Sequence, residues 1–172
     1  MKKIILCFLV SASLIACTNQ ETKTEAKTET TGSVTTTGPD VDLIKKSITA
    51  FADGDWATYA STYADTAKSY HNIWPSNTDT TVGVKIPVLI EGFKKQRELM
   101  DGKLTMGGTI FEVVTMPDGS KYGHVWVDFT WKNKKGEVGK SVLFDSYGIN
   151  KDGKISYEWP IYDTKDVVRL GN

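Results

Sequence analysis

KYGHVWVDFTWK, running from Lys121 to Lys132, alternates without interruption. Val125, Val127, Phe129 and Trp131 fall on one side, and Tyr122, His124, Trp126 and Asp128 on the other. Successive side chains of a strand point to opposite faces, so the stretch reads as a strand with one apolar face. Its flanks fix its neighbours. Pro117-Asp118-Gly119 precedes it and Asn133 to Gly136 follows it, both built from turn-forming residues. Lys103 to Thr115 and Lys140 to Asn150 are then its antiparallel partners. Gly107-Gly108 marks a bulge or bend in the first of these. Lys151-Asp152-Gly153 turns the chain into a last strand, Lys154 to Asp163. Adjacent pairing carries the apolar face onto Leu143, Asp145 and Tyr147. Asp145 thereby stands as a carboxyl on an apolar wall, which demands a partner, a raised pKa or an open pocket.

Upstream the period changes to that of helices. Pro39-Asp40 opens the first, with Asp40 as its N-cap. Val41, Ile44, Ile48 and Phe51 recur at helical spacing, and Gly54 ends the run. Asp55 caps a second helix carrying Trp56, Tyr59 and Tyr63 on one face. Tyr70 to Trp74 reads as a short strand ending at Pro75, and Ser76 to Thr81 as a polar loop. Pro87 suits the first turn of a third helix, which runs to about Met100 with Leu89, Ile90, Phe93 and Leu99 inward. Helices followed by strands predict an α+β domain over 39–172, with the N-terminal helices packed on one face of a curved antiparallel sheet.

The first seventeen residues, MKKIILCFLVSASLIAC, carry an address. Lys2 and Lys3 form a basic start, and Ile4 to Val10 a short apolar core. That core falls short of the roughly 20 residues a membrane span needs, so 1–16 reads as a removable leader. Leu14-Ile15-Ala16-Cys17 has the form of a bacterial lipobox, in which the cysteine is acylated and becomes the new N-terminus. Two or three acyl chains anchor stably, because each buried methylene contributes about 0.8 kcal/mol. Thr18 is not the residue that retains such proteins on the inner membrane, so the expected location is the cell envelope, at the outer membrane. Residues 17–38, the lipidated cysteine and a run of Thr, Glu and Lys, lack the apolar content to fold and read as a disordered tether.

Cys7 leaves with the leader and Cys17 carries lipid, so the domain has no thiol for a disulfide or a metal. The formal charge of the whole chain is zero, and about −2 without Lys2 and Lys3. No basic face or run stands out, which argues against a nucleic-acid partner. His71 and His124 are the only histidines, and the strand register sends His124 to the face opposite Asp145. No metal site and no cofactor is expected.

Three segments resemble the nuclear transport factor 2-like superfamily of cone-shaped α+β folds, which includes ketosteroid isomerases and SnoaL-type polyketide cyclases. Phe51-Ala-Asp-Gly-Asp-Trp56 looks like its turn between the first two helices. Tyr63-Ala-Asp-Thr-Ala67 looks like the segment leading into its first strand. Phe144-Asp145 through Asp152-Gly-Lys-Ile155 to Glu158-Trp159 is similar to its closing hairpin. Aligned without gaps on these segments, the isomerases' proton-shuttling aspartate falls on His71 and their protonated oxyanion-hole aspartate on Asp145. Their oxyanion tyrosine falls on Ser47, a shorter side chain. The resemblance also implies a pocket side for Glu158 and Tyr162, and a sheet face through which members dimerise.

The candidate site follows from both lines of reasoning. Trp56, Tyr59, Trp74, Trp131, Tyr147, Glu158 and Tyr162 are expected to line a pocket suited to a flat or apolar ligand. His71 and Asp145 are its candidate acid–base pair. The plainer reading is an aromatic core with a buried hydrogen bond that only holds the fold. Tyr122, Trp126, Phe144, Tyr157 and Trp159 on the other face form an apolar surface of the kind that marks an interface, here an isologous homodimer. Three functions stay open: holding a small apolar or aromatic ligand, an isomerase, lyase or cyclase reaction through His71 and Asp145, and docking of another protein on the outer face.

Overall fold

The computed structural model describes residues 31–70 and 82–170. The predicted leader, Cys17, His71 and Trp74 lie outside the described residues, as does the loop predicted over 76–81. In chain order the elements are β1 (Ser33–Thr35), α1 (Pro39–Asp53), α2 (Trp56–Ser61), β2 (Tyr63–Ser69), β3 (Val84–Lys85) and α3 (Ile86–Arg97). Then come β4 (Thr105–Thr115), β5 (Lys121–Lys132), β6 (Val138–Ile149), β7 (Ile155–Tyr162) and α4 (Lys165–Leu170). One seven-stranded sheet has the order β1-β4-β5-β6-β7-β2-β3. The α+β class stands, and β5 has the bounds its alternation predicts. Val125, Val127, Phe129 and Trp131 are buried, while Trp126 is half exposed.

Among the described strands, the sheet departs from an all-antiparallel one at a single join. β2 runs parallel to β7 and antiparallel to β3. That join also adds a strand where the sequence pattern predicts a helix face at Tyr63. β2 starts at Tyr63, so Tyr63 belongs to a strand and not to the second helix, which stops at Ser61; of the strand predicted over 70–74, all but Tyr70 lies outside the described residues. The expected break at Gly107-Gly108 is a register shift between Met106 and Thr109. Further shifts interrupt the β6–β7 and β2–β7 ladders. Such irregularities raise local twist and curve the sheet around the helices.

Three other expectations change. The cap of α1 is Gly38, whose carbonyl accepts from the Asp42 amide at 2.9 Å. Asp40 lies inside the first turn and pairs with Lys121 at 2.6 Å, where a negative charge also suits the helix dipole. Leu99 is exposed because α3 stops at Arg97. Ser33–Thr35, expected within the disordered tether, pairs with β4 across Thr115, Val114 and Val113. Composition could not reveal this, because all three residues of β1 are exposed and the strand rests on backbone pairing alone.

Two glycines shape the region around the inner face. Gly54 closes α1 in the left-handed conformation, φ 73°, which costs glycine least. Gly139 lies opposite Trp131 in the β5–β6 ladder, and a Cβ there would run into the indole. The missing side chain lets Trp131 lie flat over the neighbouring strand. α1 covers β4 and β5, and α2 and α3 close against β2. The core lies between, with Ile44, Leu89, Val125 and Ile155 fully enclosed.

Candidate functional site

Strand alternation brings the site together. β6 turns Leu143, Asp145 and Tyr147 inward, and β7 turns Glu158, Pro160 and Tyr162 the same way. These two strands are paired with Tyr147 opposite Glu158 and Asp145 opposite Pro160. β5 adds Phe129 and Trp131, and the helices add Ile48, Phe51, Tyr59, Phe93 and Arg97. A cavity of about 80 Å³ remains between them. Val167 of α4 reaches its rim.

Of the residues predicted to line it, Tyr59, Trp131, Tyr147, Glu158 and Tyr162 do so, and Asp145 joins them. Trp56 stands behind the wall: its ring stacks on Phe93 with centroids 6.2 Å apart and meets Phe51 edge-on. Ser47 is fully buried with no hydrogen-bond partner for its hydroxyl, and it does not line the cavity.

The polar groups of the wall are few and enclosed. Glu158 is 2% exposed and Asp145 3%. Tyr59 donates to Glu158 Oε2 at 3.1 Å, and Tyr63 donates to the same oxygen. The Tyr63 and Tyr59 hydroxyls are 2.9 Å apart. Burial pushes the Glu158 carboxyl up, and the tyrosine hydrogen bonds pull it back. Asp145 is raised well above the ordinary carboxylate range, first by burial and then by the charge of Glu158, with the Tyr147 hydroxyl acting against both. Its Oδ1 has no hydrogen-bond partner. Tyr59, Tyr63 and Tyr147 are raised well above 10, mainly by burial, and Tyr162 is pushed up to about 12. The arrangement is thus two buried carboxyls, both raised by burial, one held by two phenols and the other with a bare oxygen.

Arg97 stands at the same wall, lowered to about 10 by burial. Its guanidinium donates to Phe51 O at 2.6 Å and Ala52 O at 3.3 Å, and it lies over the Phe51 and Trp56 rings. It thereby satisfies carbonyls at the C-terminus of α1. Neither Arg97 nor Phe93 and Phe129 was singled out as a pocket residue from sequence. The available signal was the basic last turn of α3, Lys94-Lys95-Gln96-Arg97, directly after an apolar stripe. Among the described residues, no group of three His, Cys, Asp or Glu side chains is placed to hold a metal.

The outer face carries the remaining candidates. Ile110, Trp126, Phe144 and Ile161 stand in one row across four strands. Trp126 and Phe144 are in contact, with centroids 4.4 Å apart. Tyr70 bridges toward Tyr157 and Trp159. Tyr122 and Tyr157 are partly buried, while Trp126 and Trp159 are about half exposed, at 48% and 49%. His124 sits on this face beside Glu112, at 3.3 Å.

A pH dependence of stability follows from Asp145. Its folded pKa lies above the unfolded value of about 3.9, so the folded state holds the proton more tightly. Stability is therefore full below about pH 4 and falls as pH rises toward the folded pKa. Asp145→Asn removes the titration. Its stability relative to the unsubstituted protein should improve with pH across that window, by at most about 1.4 kcal/mol per unit. Urea unfolding at a series of pH values measures this, and a pH-independent difference would contradict the assignment.

Neither a family model nor a curated protein matches the sequence. Solved structures match by shape. A nuclear transport factor 2-like protein from Burkholderia xenovorans LB400 is 15% identical, with 78% of this chain and 96% of that chain covered and a TM-score of 0.54. A ketosteroid isomerase-like protein from Erwinia carotovora atroseptica SCRI1043 is 17% identical, with 69% and 89% covered and a TM-score of 0.52. BvnE pinacolase from Penicillium brevicompactum is 9% identical, with 77% and 88% covered and a TM-score of 0.60. At such identities the likeness is one of fold. With helices packed into a curved seven-stranded sheet, the chain has the cone-shaped α+β fold of the nuclear transport factor 2-like proteins.

Proposed function

We propose that the domain binds a small apolar or aromatic molecule in the cavity between its helices and its sheet. The observation that carries this reading is the wall itself. It is predominantly aromatic and aliphatic, and it contains a buried carboxyl oxygen without a partner. Small-molecule sites combine an apolar lining with a few placed polar groups in this way. The space, about 80 Å³, favours a ligand of a few heavy atoms, or a larger one entering by the rim near Val167.

A second reading is an isomerase, lyase or cyclase reaction on an enolisable substrate. Asp145 favours it: a neutral acid in a water-poor site can donate a hydrogen bond to a developing enolate, the device the isomerases of this fold use. His71 would be the base. The pinacolase and the ketosteroid isomerase-like protein of similar fold keep this reading alongside the first.

Two features concern the whole molecule. Cys17 is read as the point of lipid attachment, which would hold the domain at the bacterial outer membrane through the preceding tether. The aromatic row on the outer face, Ile110 to Ile161, supports self-association, since patches of this kind rarely stay exposed on a monomer.

Each reading has its measurement. Cyclopentanone, titrated into the full chain in D2O, should give saturable NMR shifts at Trp131 and Phe129. Leu143→Phe should weaken these at least tenfold while leaving the protein folded. Binding with no exchange of the ketone's α-protons fits a carrier. Exchange lost in both His71→Ala and Asp145→Asn identifies an enzyme, and no binding at all would defeat the pocket reading. Expressed in a bacterium, the chain should label with radioactive palmitate and sediment with membranes, and Cys17→Ser should do neither; an unchanged distribution rules out the anchor. In light scattering at micromolar concentration the mass should be twice that of one chain, and Trp126→Glu should halve it. A monomeric parent protein excludes the dimer.

A further inference from the structure

We propose that the cavity takes a small primary or secondary amine in its ammonium form, with the nitrogen seated on the bare Oδ1 of Asp145. The inference rests on the reading of the cavity as a ligand pocket and specifies the charge of what enters it. Asp145 and Glu158 are both more than nine-tenths buried and project from adjacent strands into one cavity. Among the described residues, no Lys, Arg or His forms an ion pair with either of them. Two tyrosines satisfy one oxygen of Glu158, and Asp145 Oδ1 has no donor. A donor with a positive charge is what this wall lacks.

The other ligand charges fit less well. A carboxylate would meet Glu158 inside the cavity, and its natural partner, Arg97, is already committed to the carbonyls of Phe51 and Ala52. A neutral oxygen acceptor brings no donor to the bare Oδ1 of Asp145. An ammonium group brings several N–H donors to it, and the rings of Phe51, Phe93, Phe129 and Trp131 supply the π-rich lining that cations favour.

The proton balance gives the inference its signature. Burial and the neighbouring Glu158 raise the Asp145 carboxyl, so the free protein keeps its proton to higher pH than an ordinary carboxyl would. An ammonium ion entering displaces that proton to solvent: the acid and the cation become a carboxylate–ammonium pair plus one released proton. The groups facing Asp145 are Tyr147 on its own strand, Glu158 and Tyr162 on β7, Tyr59 on α2 and Tyr63 on β2, with Arg97 of α3 on the same wall. The four tyrosines stay neutral below pH 10. Amine affinity should therefore rise with pH by up to about tenfold per unit while Asp145 remains protonated, then level off. A ligand that accepts the Asp145 proton in a hydrogen bond would show the opposite slope.

The test is an NMR titration of the full chain with n-butylamine, 1-butanol and butyrate, three probes of matched size, between about pH 5 and pH 9. Butylamine should bind at least tenfold more tightly than either other probe at the upper end, and tighten as pH rises. Asp145→Asn should remove both the preference and the slope. The slope is read on the unsubstituted protein, so the test stands even if that variant misfolds. Butanol binding as well as butylamine, or amine affinity falling with pH, would overturn the amine assignment and leave the pocket standing. Failure of all three probes to bind overturns both.

Discussion

Glu158 is tied by two phenols that come from different elements, Tyr59 on α2 and Tyr63 on β2. The rest of the site depends on this knot. It joins a helix, the parallel strand and β7 at one buried point, where the sheet makes its only parallel join among the described strands. An isolated buried carboxylate is costly by several kcal/mol, and each hydrogen bond to a charged group returns about 1.5–3 kcal/mol. The two phenols lower Glu158 against the effect of its burial. Asp145, opposite Pro160 on the neighbouring strand, is raised well above the ordinary carboxylate range by burial and by the charge of Glu158, with the Tyr147 hydroxyl acting against both. Where the tyrosines stand therefore helps to set two chemically similar acids apart.

The alternation of β5 and β6 makes one sheet serve two environments. Val125, Val127, Phe129 and Trp131 close the core and the cavity, while Trp126 and His124, their immediate neighbours in sequence, stand on the far side. A slip of one residue in register would exchange the two sets. It would bring Trp126 and Asp128 into the core and expose Val127 and Phe129, so burial fixes the pairing. Gly139 adds a second constraint at the end of the ladder, since only there can the Trp131 indole lie over the opposing strand.

This also explains what could be read in the sequence. Period-2 patterning is local, so the bounds and faces of β5, the inward turn of Leu143, Asp145 and Tyr147, and most of the cavity wall were legible. The Gly54 and Asp55 caps were legible for the same reason: their signals lie within four residues. What was not legible depends on partners distant in sequence. TYADTAKS shows no clean alternation, and its strand exists because β7 and β3 flank it. β1 is polar and exposed, and only β4 makes it a strand. The role of Tyr63 was hidden behind its i,i+4 spacing from Tyr59, which mimics one helix face. The hydroxyls do meet, but across a helix–strand junction.

The cavity has one stiff end and one soft end, and this bears on what it can hold. At the acid end, Tyr59, Tyr63, Tyr147 and the two carboxyls are buried and cross-linked, so enlarging the space there would break hydrogen bonds that no water replaces. At the rim, α4 is docked by contacts at the surface: the Lys140 amide to Asp166 at 2.9 Å and Arg169 to Val138 O at 3.2 Å. Exposed as they are, these bonds are readily exchanged for bonds to water. On the proposed reading of the cavity as a ligand pocket, a ligand larger than the present space would displace the C-terminal helix, while its polar end would meet an unchanged arrangement of acids. Selectivity for the polar group and tolerance for the size of the apolar body would then reside at opposite ends of the same cavity.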